Sequence, residues 1–206
     1  VIATKMAMSH SDYVITEAGF GADLGAEKFF NIKCRKAGIA PKLTVIVVTT
    51  QALKMHGNVA IEDIKKKNIE GLKSGFANLD KHIDNMKSFG QSVVVALNRY
   101  GFDTDDEIAL IKEHCVARGV AFAENESFAK GGDGAVELAE AVVDMIEKNP
   151  STSLSFTYSD EDGIEKKIEK VAKLIYGAQA VSLSDQAKKK LKQIKDLQIE
   201  SYPICI

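Results

Sequence analysis

The sequence has no tryptophan and only three prolines and three cysteines in 206 residues. Cys34, Cys115 and Cys205 are far apart and odd in number, which argues against a disulfide framework and against zinc, and fits a reducing cytoplasm. A net charge of only −2 gives no reason to expect a nucleic-acid surface or an acidic tail. No apolar run approaches the roughly 20 residues that span a bilayer, and neither a signal peptide nor a low-complexity tract is visible, so no membrane partner is expected. Two phosphate-binding patterns are also missing, the Gly-x-x-x-x-Gly-Lys-Ser/Thr loop and the Gly-x-Gly-x-x-Gly turn. What remains is ordinary: 45% hydrophobic and 27% charged residues, enough for one domain with a full core, or one and a half.

The stretch from Asp12 to Phe30 joins three signals. Tyr13, Val14 and Ile15 read as a short buried strand, and Gly19, Gly21 and Gly25 form a shaped turn. A helix then starts near Ala22 or Asp23, with Asp23 as a candidate cap and Leu24, Phe29, Ile32 and Cys34 along one face. Strand, glycine turn and helix start together suit an anion. Glycines in such a turn also serve close packing alone, so both readings stand at this stage.

Further along, Leu43–Val48 and Val93–Leu97 are unbroken apolar runs, expected as parallel strands covered on both faces, and Val120–Ala123 reads as a fourth, shorter strand. Apolar residues at helical spacing from Ile61 to Phe89 predict one long helix ended by Gly90. Thr104 should cap the next helix, and a later one after Gly134 should bury Val136, Leu138, Val142, Val143 and Ile146. The expected fold is α/β, a doubly wound, mostly parallel sheet over residues 1–150, followed by a smaller helix-rich α+β portion over 151–206. In that portion Val181–Leu183 reads as a strand and Ser184 as a cap. The lysines of the last helix are interspersed with acids and read as a solvated face rather than a nucleic-acid site. Both ends of the chain look cut, which suggests a segment of a longer protein.

Candidate chemistry lies in three loops at strand ends: Glu17 to Asp23, Asn98 to Asp103, and Glu124 to Gly134. In a parallel sheet these would converge on one edge, where ligand crevices form. They carry Glu17, Gly19, Phe20, Gly21 and Asp23, then Asn98, Arg99, Tyr100 and Gly101, then Glu124, Phe128, Lys130, Gly131 and Gly132. Aromatic residues at loop tips suit a flat heterocycle. No nucleophile with a paired base stands out, and no metal cluster is expected. Read from its residues alone, the chain is a nucleotide- or heterocycle-binding α/β segment.

One run goes further. Thr16-Glu17-Ala18-Gly19-Phe20-Gly21-Ala22-Asp23-Leu24-Gly25-Ala26-Glu27-Lys28-Phe29 resembles the signature of the formate–tetrahydrofolate ligases. Ala52-Leu53-Lys54-Met55-His56-Gly57, Asn98 with Asp103-Thr104, Ala129-Lys130-Gly131-Gly132, Ile175-Tyr176-Gly177-Ala178 and Tyr202-Pro203-Ile204-Cys205 extend the resemblance over essentially all 206 residues. It implies a P-loop-related sheet and a homotetramer of chains about three times longer. The implied ligands are ATP with Mg2+, formate and tetrahydrofolate. The implied reaction is ATP-dependent formation of 10-formyltetrahydrofolate through formyl phosphate, with the phosphate-binding loop in a preceding part of the chain and the isolated segment inactive. It also implies that Tyr100 and Phe128 hold the pterin, with Gly101 where the family commonly has proline, Phe128 where it has tryptophan, and Thr50-Gln51 where it has Val-Arg. Glu124 is grouped with that folate wall. A non-catalytic folate- or nucleotide-binding or assembly domain is the alternative from another class.

Overall fold

The computed structural model describes residues 1–206. In chain order its elements begin with α1 (Ile2–Met8) and a helix wound in wide π-type turns over Ala22–Ala26 and Phe29–Cys34, which tightens into α2 (Arg35–Ala37). Next come β1 (Thr44–Val48), α3 (Thr50–His56), a 3-10 turn at Ile61–Asp63, α4 (Ile69–Ser88), β2 (Val93–Asn98) and α5 (Asp105–Ala117). The chain continues through β3 (Ala121–Asn125), α6 (Ser127–Lys130), a 3-10 turn at Gly131–Ala135, α7 (Val136–Lys148), α8 (Ile164–Leu174) and α9 (Asp185–Asp196).

These elements form two compact units, one of residues 41–154 and the other of residues 1–40 together with 155–206. The division expected at 150–151 keeps residues 1–40 with the sheet, whereas they cluster with residues 155–206. Side chains explain why they cluster with the C-terminal segment instead. Buried Asn31 donates to Glu27 Oε1 at 2.7 Å and to Thr157 Oγ1 at 2.9 Å, and its own oxygen accepts the Thr157 N–H at 3.0 Å. Arg35 donates to the Tyr158 carbonyl at 2.6 Å, and its guanidinium lies 4.0 Å from the Phe156 ring centroid. Fully buried Lys167 donates to the carbonyls of Glu200 and Tyr202, so the last residues are tied to α8.

In this unit the expected strand at 13–15 does not form. The segment is extended without ladder partners, and Ile15 is 92% exposed. Three apolar residues are too short a run to distinguish a strand from an extended loop. Val181–Leu183 is likewise irregular, whereas Ser184 does cap α9 by accepting the Ala187 N–H. The helix after the glycine turn starts at Ala22 with Gly21 as its cap residue, and Asp23 sits in its first turn.

The second unit is built on a parallel sheet in the order β1-β2-β3, with Thr44 opposite Val93 and Val94 opposite Ala121. Val93 to Leu97 are all buried because β2 has a strand on either side and helices against it. β1 departs from expectation: Ile46 and Val48 are buried, but Val45 and Val47 alternate with them on an exposed face, Val47 at 59%. Strand geometry sends successive side chains to opposite faces, and only one face of this edge strand is covered. α7 packs against β3 and β2, yet none of its residues is fully buried, and Val136 and Val143, expected in the core, are exposed.

α4 is shorter than the periodicity predicts. Ile61–Asp63 makes a separate turn, and the helix begins where Asn68 accepts the Gly71 N–H at 2.8 Å. Apolar spacing cannot see that interruption, but the capping side chain defines it. Gly90 closes the segment with φ +78°, as expected. α3 and α4 pack together at glycines: a Cβ on Gly75 would lie 1.9 Å from the Leu53 carbonyl oxygen, and one on Gly57 would lie 1.8 Å from the Gly71 carbonyl oxygen.

Gly75→Ala should therefore destabilise the protein by about 1–3 kcal/mol, the cost of overpacking, although alanine at an exposed helix position would gain about 1 kcal/mol. The urea midpoint measures this. A raised midpoint would show that the two helices are not pressed together.

Candidate functional site

Nine of the candidate residues lie in residues 41–154, at the carboxyl ends of β2 and β3 and in the loops that follow. The two strands end side by side, with Asn98 opposite Asn125. Asn125 Nδ2 donates to Asn98 Oδ1 at 2.8 Å, and the Arg99 N–H donates to the Asn125 carbonyl at 3.0 Å. Arg99 then bridges Glu124 at 2.9 Å and Asp105 at 2.6 Å. Glu124 thus has a cationic partner within the fold, which pins the two strand ends to one another.

The aromatic residues gather over this edge. Tyr100 and Phe102 stack nearly parallel, with centroids 5.5 Å apart and planes inclined by 6°, and Phe128 lies 5.9 Å from Tyr100 at 53°. Phe128 is 87% exposed at the tip of the four-residue α6. Lys65 lies 5.6 Å from the centroid of Phe102, which closes the row with a cation. With Phe128 exposed and Tyr100 and Phe102 half-buried, the row offers ring faces to a flat partner. A flat heterocycle placed between Tyr100 and Phe128 needs two contact distances of about 3.5 Å and parallel faces, so Phe128 must both turn from its 53° inclination and move outward by roughly 1 Å to admit it. Gly101, at the tip of the loop, has open space around it: a Cβ there would meet nothing within 4 Å.

The third loop is organised by Glu126. Its N–H donates to the Gly134 carbonyl at 2.8 Å, and its side chain pairs with Lys130, which holds the Glu126 carboxyl below its ordinary pKa range. Gly131 has φ +62° and Gly132 is open. Gly134 is the structurally demanding glycine here, because a Cβ would lie 2.5 Å from the Glu126 carbonyl carbon. The Gly-Gly pair drew attention in the sequence, whereas the close backbone approach lies two residues further on.

Beneath the loops are residues that sequence reasoning passed over as a group. Asp103 Oδ2 accepts the Tyr100 N–H at 2.8 Å, the Asp103 N–H donates to the Tyr100 carbonyl at 3.0 Å, and Asp103 Oδ1 accepts the Thr50 hydroxyl. One helical turn along α3, Lys54 donates to Glu107 at 3.0 Å, with both side chains fully buried. Glu107 also accepts the Asn68 N–H at 3.0 Å and the Thr104 hydroxyl at 2.9 Å. Burial pushes the Glu107 carboxyl up, but the Asn68 N–H, Lys54 and Thr104 together outweigh it and leave it below the usual range.

The other candidates, Glu17, Gly19, Phe20, Gly21 and Asp23, belong to the unit of residues 1–40 and 155–206. They do not follow a strand of the sheet, because residues 13–15 do not join it. Phe20 is 93% exposed and has φ +63°, a left-handed backbone that costs an ordinary residue on the order of 1 kcal/mol. Gly25 is required by packing, since its Cβ would fall 1.7 Å from the Gly19 carbonyl oxygen. That part of the glycine pattern is explained without a ligand.

Burial raises the thiol pKa of Cys34 to about 11 and, with Asp80, that of Cys115 to about 12, so neither is a ready nucleophile; Cys205 is exposed. No three His, Cys, Asp or Glu side chains come together as a donor set for a metal ion. No helix is long and apolar enough to cross a membrane.

A family model described as formate–tetrahydrofolate ligase matches residues 1–206. The chain is similar to proteins of that name from Parabacteroides distasonis (63% identical over 206 residues), Bacteroides thetaiotaomicron (59% over 206) and Caldicellulosiruptor saccharolyticus (49% over 207). Each match covers 100% of this chain and 37% of the relative, so the chain spans well under half the length of these curated relatives.

Proposed function

The chain belongs to the formate–tetrahydrofolate ligase family, and from that premise we propose that it supplies the folate-binding wall of an ATP-dependent ligase joining formate to tetrahydrofolate. The observation that carries this reading is the aromatic row of exposed Phe128 and half-buried Tyr100 and Phe102 over the ends of β2 and β3. In it, Tyr100 and Phe128 clasp the pterin, Gly101 leaves room at the loop tip, and Arg99 with Glu124 keeps the two strand ends together.

In the proposed reaction a formate oxygen attacks the γ-phosphate of ATP, giving formyl phosphate and releasing ADP, after which N10 of tetrahydrofolate takes the formyl group, loses its proton and releases phosphate. Such chemistry depends on positioning and charge neutralisation. In this reading the residues at the ends of β2 and β3 position the folate, Mg2+ enters with ATP, and the lysine of a phosphate-binding loop comes from another part of the parent ligase. Lys130, Gly131 and Gly132, and in the other unit Glu17, Gly19, Phe20, Gly21 and Asp23, are proposed as substrate-loop residues. A P-loop-related parent sheet, a homotetrameric parent and a cytoplasmic setting complete the proposal.

A coupled assay with formate, MgATP and tetrahydrofolate tests it. The ligase containing these residues should turn over, and the 206-residue chain by itself should not. Turnover by the chain alone would overturn the division of labour proposed here. An intact ligase whose folate requirement ignores Phe128 would favour a binding or assembly role without folate contact.

A further inference from the structure

The loop that carries Tyr100 is a four-residue turn closed by the Asp103 N–H on the Tyr100 carbonyl. Its second residue is Gly101, a position where such turns favour proline because proline presets φ. Glycine gives the turn no such stiffness. Nothing crowds Gly101 either, so neighbouring side chains do not restrain it. A flexible turn would let the Tyr100 ring wander and would raise the entropic cost of seating a flat ligand against it.

The stiffness comes from below. Asp103 is only 8% exposed and uses both carboxylate oxygens, one on the Tyr100 N–H and one on the Thr50 hydroxyl. Thr50 is fully buried at the start of α3, a helix held against α4 by close-packed glycines and joined to α5 through Lys54 and Glu107. We propose that Thr50 and Asp103 act as positioning residues for tetrahydrofolate, a latch that fixes Tyr100 to the rigid α3 and does for this turn what a proline would otherwise do. The inference rests on the folate-wall reading of Tyr100 and Phe128. Both latch residues are buried beneath the turn, so their effect must appear in folate binding through the tyrosine.

The test uses the ligase that carries these residues, assayed with tetrahydrofolate and ATP varied in turn. Asp103→Ala removes both bonds and should raise the KM for tetrahydrofolate about tenfold, with the KM for ATP within about twofold of the parent. Thr50→Val removes one bond without changing side-chain size and should raise the folate KM about threefold. Asp103→Asn should restore most of the loss, since its amide oxygen still accepts the Tyr100 N–H and its NH2 can donate to the Thr50 oxygen. Equal changes in the folate and ATP constants, or a lowered melting temperature with an unchanged folate KM, would overturn the latch. If Asp103→Ala does not fold, Thr50→Val decides alone by the same two constants. Phe128→Ala separates the premises: a raised folate KM in that variant with none in Thr50→Val and Asp103→Ala removes the latch only, whereas no effect in Phe128→Ala removes the folate wall itself.

Discussion

Replacing Lys54 with methionine should cost the fold about 3–5 kcal/mol, the largest stability loss expected from any single substitution here. Methionine matches the length of the lysine stem and keeps its packing, so the loss reports on the ammonium and its two bonds, to Glu107 and to the Lys66 carbonyl, each at 3.0 Å. Glu107 would remain fully buried with its hydrogen bonds to Asn68 and Thr104 but without its cation. A buried carboxylate in that state takes up a proton or lets the structure open. Urea unfolding near neutral pH should show a lowered midpoint with an unchanged slope, and a loss below about 1 kcal/mol would mean that water or a rearranged side chain replaces the amine. The pair also sets a pH signature. The folded carboxyl titrates below its ordinary value of 4.5, so its contribution is present above that value and disappears as the pH falls through the lower, folded value. The parent protein should thus weaken on acidification below about pH 4.5. The methionine variant should show a smaller or inverted dependence over the same range.

The second large effect concerns binding. Phe128→Ala in the ligase should raise the KM for tetrahydrofolate by about 10- to 30-fold, combining a lost stacking contact of about 1 kcal/mol with the apolar area it covers. The fold should not notice, because a side chain 87% exposed at a helix tip supports almost nothing beneath it. That contrast makes the experiment informative: a folate defect without a change in melting temperature has no structural explanation. Phe128→Trp should act in the opposite sense and lower the folate KM, since a larger ring offers more face. An ATP defect of equal size in Phe128→Ala would contradict the assignment.

Local signals were the legible ones. Thr104 with Glu107 three residues later announces a helix start, and the structure contains the full capping box. Ser184 and Gly90 are equally short-range signals, and each does what its chemistry requires. The apolar core strand β2 was plain because central strands lose both faces to the interior. β1 has a similar composition, but its exposure depends on what lies beside it, and composition does not encode neighbours. The strand expected at 13–15 rests on three apolar residues, too short a run to separate a strand from a loop. At the candidate site, the ends of β2 and β3 locate the loops, and the aromatic residues are legible there as loop residues. Hidden from the sequence were Phe102 stacked on Tyr100 and the buried pairs Thr50 with Asp103 and Lys54 with Glu107, each joining residues 53 positions apart. The glycines divided likewise. Gly25, Gly75 and Gly134 answer to approaching backbones that only the fold reveals.

The parallel sheet also has a consequence in time. β1 pairs Thr44 with Val93, and β2 pairs Val94 with Ala121, so each ladder must close a long loop, containing at least one helix, before its first hydrogen bond forms. Helix formation in α4 needs no such closure and takes microseconds or less, while its packing against α3 joins segments close in the chain. The α3–α4 pair is therefore the natural nucleus, and the strands assemble onto it late. Close glycine contacts that look like details of packing would then govern how fast the molecule is made, whereas substitutions along β3 would govern how fast it comes apart.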